Sequence, residues 1–247
     1  MRVFLRAAVI AIGLLALWQL IVWLTAVPKF ILPSPILVLQ TLWSRADLIL
    51  DHAGTTLLEI VLGMLLGCGS GFLCALLLQL VKPLRVWLLP ILVVSQAIPV
   101  FALAPILMVW LGYGITSKVV MASLIIFFPV TSACYDGLRN TPQAWLDLAK
   151  TMQASPWQQL RYIQLPASLP SLASGLRVAA SVAPIGAIVG EWVGSSSGLG
   201  YLMLQANARM QVDLMFACLF VLAVMALVLY FGIDYVLKRS MPWVAYR

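Results

Sequence analysis

Six long apolar runs, at roughly 7–27, 55–81, 86–110, 115–135, 168–190 and 214–237, limit what this chain can fold into. A helix needs about 20 apolar residues to cross a ~30 Å hydrocarbon core, so each run is long enough for one crossing. The chain therefore reads as an all-α integral membrane protein of about six transmembrane helices. Charged residues make up only 9% of its 247 residues, against about 25% in a soluble domain, so lipid rather than water is the main solvent. Little sequence is left for a catalytic domain outside the membrane.

The net charge of +7 does not point to nucleic acid, because the basic residues form no cluster and sit at the ends of apolar runs. Membrane lipid and topology account for them. Cys68, Cys74, Cys134 and Cys218 are scattered, mostly within apolar runs where a free cysteine behaves as a small hydrophobe, so neither a disulfide nor a metal site is expected. The eight acidic residues are dispersed and His52 is the single histidine, so no catalytic residues can be named and an intramembrane enzyme is disfavoured. His52, beside Asp51, reads as a surface residue. An ion-coupled secondary transporter is the other competing class, but neither inverted repeats nor midplane charges are visible.

The opening Met1-Arg2-Val3-Phe4-Leu5-Arg6 and the apolar stretch to Val27 resemble a signal peptide, yet the stretch exceeds the usual 7–15-residue core and favours an uncleaved first helix. With that terminus inside, the inner segments collect Arg2, Arg6, Lys82, Arg85, Arg139, Lys150, Arg161, Lys238, Arg239 and Arg247. The outer segments keep Lys29, Arg45, Lys118 and Arg209. The positive-inside rule then places both termini in the cytoplasm. The outer segment 28–54, with Leu32-Pro33-Ser34-Pro35, reads as a connection carrying a short amphipathic helix along the interface.

Within the spans, Gly63, Gly67 and Gly71 bare one helix face for close packing. Pro90, Pro99 and Pro105 in the third span and Pro184 in the fifth free backbone carbonyls that need a neighbouring helix or a cavity. Ser95, Gln96, Ser181 and Glu191 are candidate groups for a solute path, since polar residues in spans are costly. Each also has a plainer role: serine bonding its own backbone, Gln96 joining helices, Glu191 at the outer interface. Arg177 is placed to snorkel toward the cytoplasmic surface.

The cytoplasmic segment 136–167 is the longest polar stretch assigned to the inside. Thr141-Pro142 suits a helix start, and Ser155-Pro156-Trp157-Gln158 matches a capping box, so two short helices are expected. In the first, about 142–153, Trp145, Leu148, Ala149 and Met152 form one apolar face that needs a partner, either this chain's own helix ends or another subunit.

Leu146 to Ser155, followed by Leu165-Pro166-Ala167-Ser168-Leu169-Pro170 and Gly175-Leu176-Arg177, resembles the EAA loop of permeases in binding-protein-dependent ABC importers. Leu32-Pro33-Ser34-Pro35, the stretch Trp110 to Lys118, Gly190-Glu191, Gly198-Leu199-Gly200 and Pro242-Trp243 resemble the branch importing taurine, sulfonates, nitrate and pyrimidine precursors. The resemblance covers nearly the whole chain. It departs where Asp147 stands for the family's acidic residue, Leu148 for its first alanine and Gln153 for its glycine, which leaves the turn at Gln153 open.

The resemblance implies a type I importer permease with a first helix and outer segment at 1–54, a core at 55–240 containing the coupling loop, and a tail at 241–247. Asp147, Leu148, Ala149, Met152, Gln153 and Ala154 would dock on a separate cytoplasmic ABC ATPase dimer. That ATPase would bind ATP and Mg, since this chain carries no G-x-x-x-x-G-K-[ST] loop and needs no cofactor of its own. A second permease copy, a periplasmic or lipid-anchored binding protein and a bacterial inner-membrane location are implied as well. The run Phe127 to Thr131 with Tyr135 to Arg139 is similar to permeases for thiamine-pyrimidine precursors, with alkanesulfonate, taurine or nitrate as alternatives.

Overall fold

The computed structural model describes residues 2–243, without the side chains of residues 2–8, 11 and 82. The side chains of the inner charges Arg2, Arg6 and Lys82 are therefore not described, and Arg247 with most of the 241–247 tail lies outside the described residues. All regular structure among the described residues is helical: α1 (Arg2–Thr25), α2 (Pro35–Ser44), α3 (Ala46–Leu80), α4 (Lys82–Ser95), α5 (Val100–Leu111), α6 (Ile115–Arg139), α7 (Gln143–Thr151), α8 (Pro156–Gln159), α9 (Leu165–Gly194), α10 (Leu199–Ala208) and α11 (Val212–Ser240).

Among the described residues, four stretches are long and apolar enough to cross a membrane: α3, α6, the continuous Pro156–Gly194 and α11. The expected third span is broken in two. Helices α4 and α5 meet at a bend of 101° and make a fifth crossing only if counted together. Pro99 is the physical reason, since it donates no backbone hydrogen bond and keeps Ile98 from helical angles. Helix α1, the first span of the sequence reading, has 24 residues and is about 36 Å long, with Ile12–Thr25 as its described apolar part.

Several boundaries move. Helix α3 starts at Ala46 and runs across the expected 54/55 boundary. The short helix of the 28–54 segment is α2, capped by Ser34 and tied to α11 where Thr41 Oγ1 donates to Asp213 Oδ2 at 2.7 Å. Helix α10 was not anticipated. Of the two short helices expected in 136–167, the second is instead the start of the fifth span: α8 passes through a π-helical turn, Leu160–Gln164, directly into α9. Pro166 explains the wider turn, because it cannot donate to the Tyr162 carbonyl and its ring crowds that carbonyl.

Helix α6 is the central column, packed between α3 and α9. The glycine face of α3 meets it. A Cβ at Gly67 would lie 2.8 Å from the Ser123 carbonyl oxygen, whereas one at Gly69 meets nothing within 4 Å. Small residues likewise let α9 approach, and Ala179, Ala183 and Ala187 pack with Ile60, Ile126 and Val130 in the bundle centre. Gly67→Leu is therefore expected to destabilise the purified protein by about 1–3 kcal/mol, read as a lower thermal midpoint, while Gly69→Leu leaves the midpoint nearly unchanged.

Candidate functional site

The α6–α7–α8 connection closes one end of the bundle. Helix α7 starts at Gln143, with Pro142 at the N-cap and no side-chain cap. Thr141 does not cap it as expected; its hydroxyl donates back to the Leu138 carbonyl at 3.0 Å. Ser155 and Gln158 do form the expected capping box, with Ser155 N–H donating to Gln158 Oε1 at 2.7 Å and Gln158 N–H to Ser155 Oγ at 3.3 Å. Asp147 lies mid-helix, not in the first turn, so the helix dipole does not explain it. Its exposed carboxylate accepts from Lys150 Nζ and Gln143 Nε2, each at 2.9 Å, and the Lys150 contact, with that of Gln143, holds its pKa below the ordinary value.

The turn at Gln153 keeps the geometry that a glycine would adopt. Gln153 has φ +56°, Ala154 N–H donates to the Ala149 carbonyl and Gln153 N–H to the Lys150 carbonyl, both at 2.9 Å, closing a Schellman motif. The left-handed conformation costs a non-glycine residue about 1–2 kcal/mol. Gln153→Gly is therefore expected to raise stability by up to about 1 kcal/mol, partly offset by glycine's freedom in the unfolded chain, and Gln153→Val to fray the end of α7. Thermal unfolding of the purified variants reads both.

Of the apolar face of α7, the chain buries only Ala149. Trp145, Leu148 and Met152 remain exposed, at 53%, 62% and 75%. With Tyr162, Pro166 and Trp243 they wall an open, largely apolar groove of about 750 Å³, which also takes in Ala154. Of the coupling candidates, Leu148, Ala149, Met152 and Ala154 share this groove, whereas Asp147 and Gln153 are not among its walls.

The path candidates are not brought together. Ser95 Oγ donates to the Leu92 carbonyl at 2.8 Å and Ser181 Oγ to the Arg177 carbonyl at 3.0 Å, so both bond their own helices. Gln96 is exposed at the α4–α5 break, beside two cavities on α6. Glu191 lies in the protein interior, 1% exposed. Arg177 does not snorkel: its Nε donates to Asp234 Oδ1 of α11 at 2.7 Å, and Lys238 Nζ reaches Asp234 Oδ2 at 2.6 Å.

Glu191 belongs to a buried polar junction at the end opposite α7, which the sequence reading missed. Thr56 Oγ1 donates to Glu191 Oε1 at 2.6 Å and accepts from Leu199 N–H at 2.8 Å, while Gly200 N–H donates to Glu191 Oε2. His52, expected at the surface, is half-buried, and its Nδ1 accepts from Gly198 N–H at 3.0 Å. The junction ties α3, α9 and the start of α10 into one unit. A side chain at Gly198, whose φ is +106°, would collide with the Glu191 carboxylate. One helical turn from Thr56, Glu59 is fully buried with neither carboxylate oxygen hydrogen-bonded. Its cationic partner, Lys118 of α6, is 4% exposed with Nζ 3.7 Å away. The available signal was an ionisable residue inside each of two apolar runs. Among the described residues, no three His, Cys, Asp or Glu side chains are grouped to hold a metal.

Apolar crossings with one broken span, and a helix whose apolar face stays exposed at one end, make the frame of a membrane component. Residues 60–245 match the family described as binding-protein-dependent transport system inner membrane component, and the chain belongs to that family of ABC importer permeases. It is 59% identical over 240 residues to a probable ABC transporter permease protein of Haemophilus influenzae, covering 97% of this chain and 98% of that one. It is 36% identical over 231 residues to a formylaminopyrimidine transport permease of Halalkalibacterium halodurans, covering 93% and 92%. Inward-facing structures of a methionine ABC transporter share the fold at a TM-score of 0.69 and 19% identity, over 79% of this chain and 97% of that one.

Proposed function

We propose that this chain forms, with a second copy of itself, the translocation path for a small planar nitrogen heterocycle of the thiamine-pyrimidine-precursor type. A periplasmic or lipid-anchored binding protein delivers the solute, and a cytoplasmic ABC ATPase dimer, which holds the ATP and Mg, drives the cycle. Both termini face the cytoplasm of a bacterial inner membrane. The observation that carries the coupling role is helix α7: its Leu148 and Met152 stay exposed, and the chain buries only Ala149 of that face. A helix that leads, through the turn at Gln153, into the continuous Pro156–Gly194 stretch can pass a pull on α7 to the fifth crossing.

For the solute, support comes from the identity to the formylaminopyrimidine permease over nearly the full length of both chains. Sulfonate or taurine is the second reading, favoured by 31% identity to a sulfonate permease of Bacillus subtilis and 27% to the taurine permease of Escherichia coli. Calorimetry of the cognate binding protein against an aminopyrimidine, an alkanesulfonate, taurine and nitrate separates them. Binding of the aminopyrimidine alone is the expected result, and binding of a sulfonate, taurine or nitrate instead removes the solute assignment.

A further inference from the structure

Arg45 and Arg209, far apart in the chain, line one cavity of about 140 Å³ at the end of the bundle opposite α7. They are the two arginines that the positive-inside reading leaves outside. Neither has a hydrogen bond or an ion pair among the described residues. Asp47, Asp51 and Asp213 stand close by in sequence but are not among the walls, and Asp213 accepts from Thr41. A solvated arginine needs no partner, so the weight falls on the convergence of two in one cavity. Its floor is apolar and closed: Leu202, Ala206 and Leu214 are each no more than 5% exposed and belong to the core cluster with Ile49 and Ala53. Its rim is built from helix ends. Arg45 is the N-cap of α3, Arg209 the C-cap of α10 and Gln211 the N-cap of α11. The cavity therefore opens past the helix ends, toward the outer water. The two helix starts carry no side-chain cap, and their free N–H groups add positive potential beside the arginines.

We propose that this cavity seats a carboxylate side chain of the binding protein that delivers the solute, an inference that deepens the permease reading above and rests on it. The chemistry of the walls selects the group. Two guanidinium forks and the Gln211 amide offer donors, and no wall residue brings a negative charge. A planar carboxylate matches an arginine fork with two parallel bonds. The volume equals about four or five waters at ~30 Å³ each, the scale of one acidic side chain. A partner arriving from the outer water reaches the cavity without crossing lipid. His52 also lines it while its Nδ1 accepts from Gly198 N–H, so a seated carboxylate lies next to the unit that ties α3, α9 and α10 together.

The test titrates the permease–ATPase complex in nanodiscs into the fluorescently labelled cognate binding protein and reads docking by anisotropy. Arg45→Glu and Arg209→Glu are each expected to weaken docking at least about tenfold, and Arg209→Lys by less. Lys29→Glu, at an exposed outer cation that does not line the cavity, is expected to weaken it by less than about twofold. The two arginines lie on separate elements and retention of the complex on gel filtration reports folding, so one intact variant suffices. Unchanged docking by an intact variant at either arginine overturns the site. So does an equal loss with Lys29→Glu, which marks a diffuse surface charge, or the absence of docking by the unaltered complex. Repeating the titration in discs of phosphatidylcholine, with and without phosphatidylglycerol, separates a lipid phosphate: an arginine effect confined to the phosphatidylglycerol discs overturns the proposal. Failure of the permease reading shows differently: no complex with an ATPase forms at all.

Discussion

Leu148→Glu combined with Met152→Glu is expected to reduce ATP-driven uptake to background while leaving the protein inserted and folded. Both side chains are exposed, and substitutions at such surface positions shift stability by only about 0.5 kcal/mol. The loss would fall on association. An apolar anchor that fills a partner's cleft contributes 2 kcal/mol or more on truncation, roughly thirtyfold in affinity, and two carboxylates at its centre add desolvation on top. Co-purification of the tagged permease with its ATPase measures this directly. Retained co-purification and uptake would remove the apolar face of α7 from the coupling surface.

The second large effect concerns the buried pair at the opposite end. Lys118→Met leaves Glu59 buried without its cation, and Glu59→Gln leaves Lys118 buried without its anion. Each single change is expected to cost about 3–5 kcal/mol. The double variant exchanges a buried pair for a neutral one and is expected to cost much less than the sum. A double-mutant cycle on thermal or denaturant unfolding of the solubilised protein reads the coupling. Additive costs would show that Glu59 and Lys118 do not act as a pair. The 3.7 Å separation, with no hydrogen bond to either Glu59 oxygen, suits a pair held by charge and burial more than by geometry.

These two expectations differ in how far the sequence anticipated them. Helix α7 was visible beforehand because local rules govern it: a proline at its start and an apolar face at i, i+3, i+4 and i+7 need only neighbouring residues. The turn at Gln153 was the exception. Local sequence argues against a left-handed glutamine, yet the two closing hydrogen bonds from Gln153 and Ala154 hold it there. The Glu59–Lys118 pair and the Thr56–Glu191–Leu199 junction join residues far apart in the chain. Hydropathy alone averages such charges into an apolar run, and Lys118 was read as an outer-loop charge. The bend at Pro99 was signalled by three prolines in one span, but its angle depends on how α5 packs against α6 and α9. Ser95 and Ser181 show the reverse error: residue type suggested a path, and each hydroxyl is satisfied by its own helix.

Reconstitution shows whether this chain works as the membrane part of an ATP-driven importer. Proteoliposomes containing the chain, its ATPase and its binding protein should accumulate labelled solute only with ATP inside the compartment that the ATPase faces. Uptake should stop with a non-hydrolysable ATP analogue and persist when ion gradients are collapsed. Uptake by this chain alone, driven by an ion gradient and indifferent to ATP, would make it a secondary transporter instead.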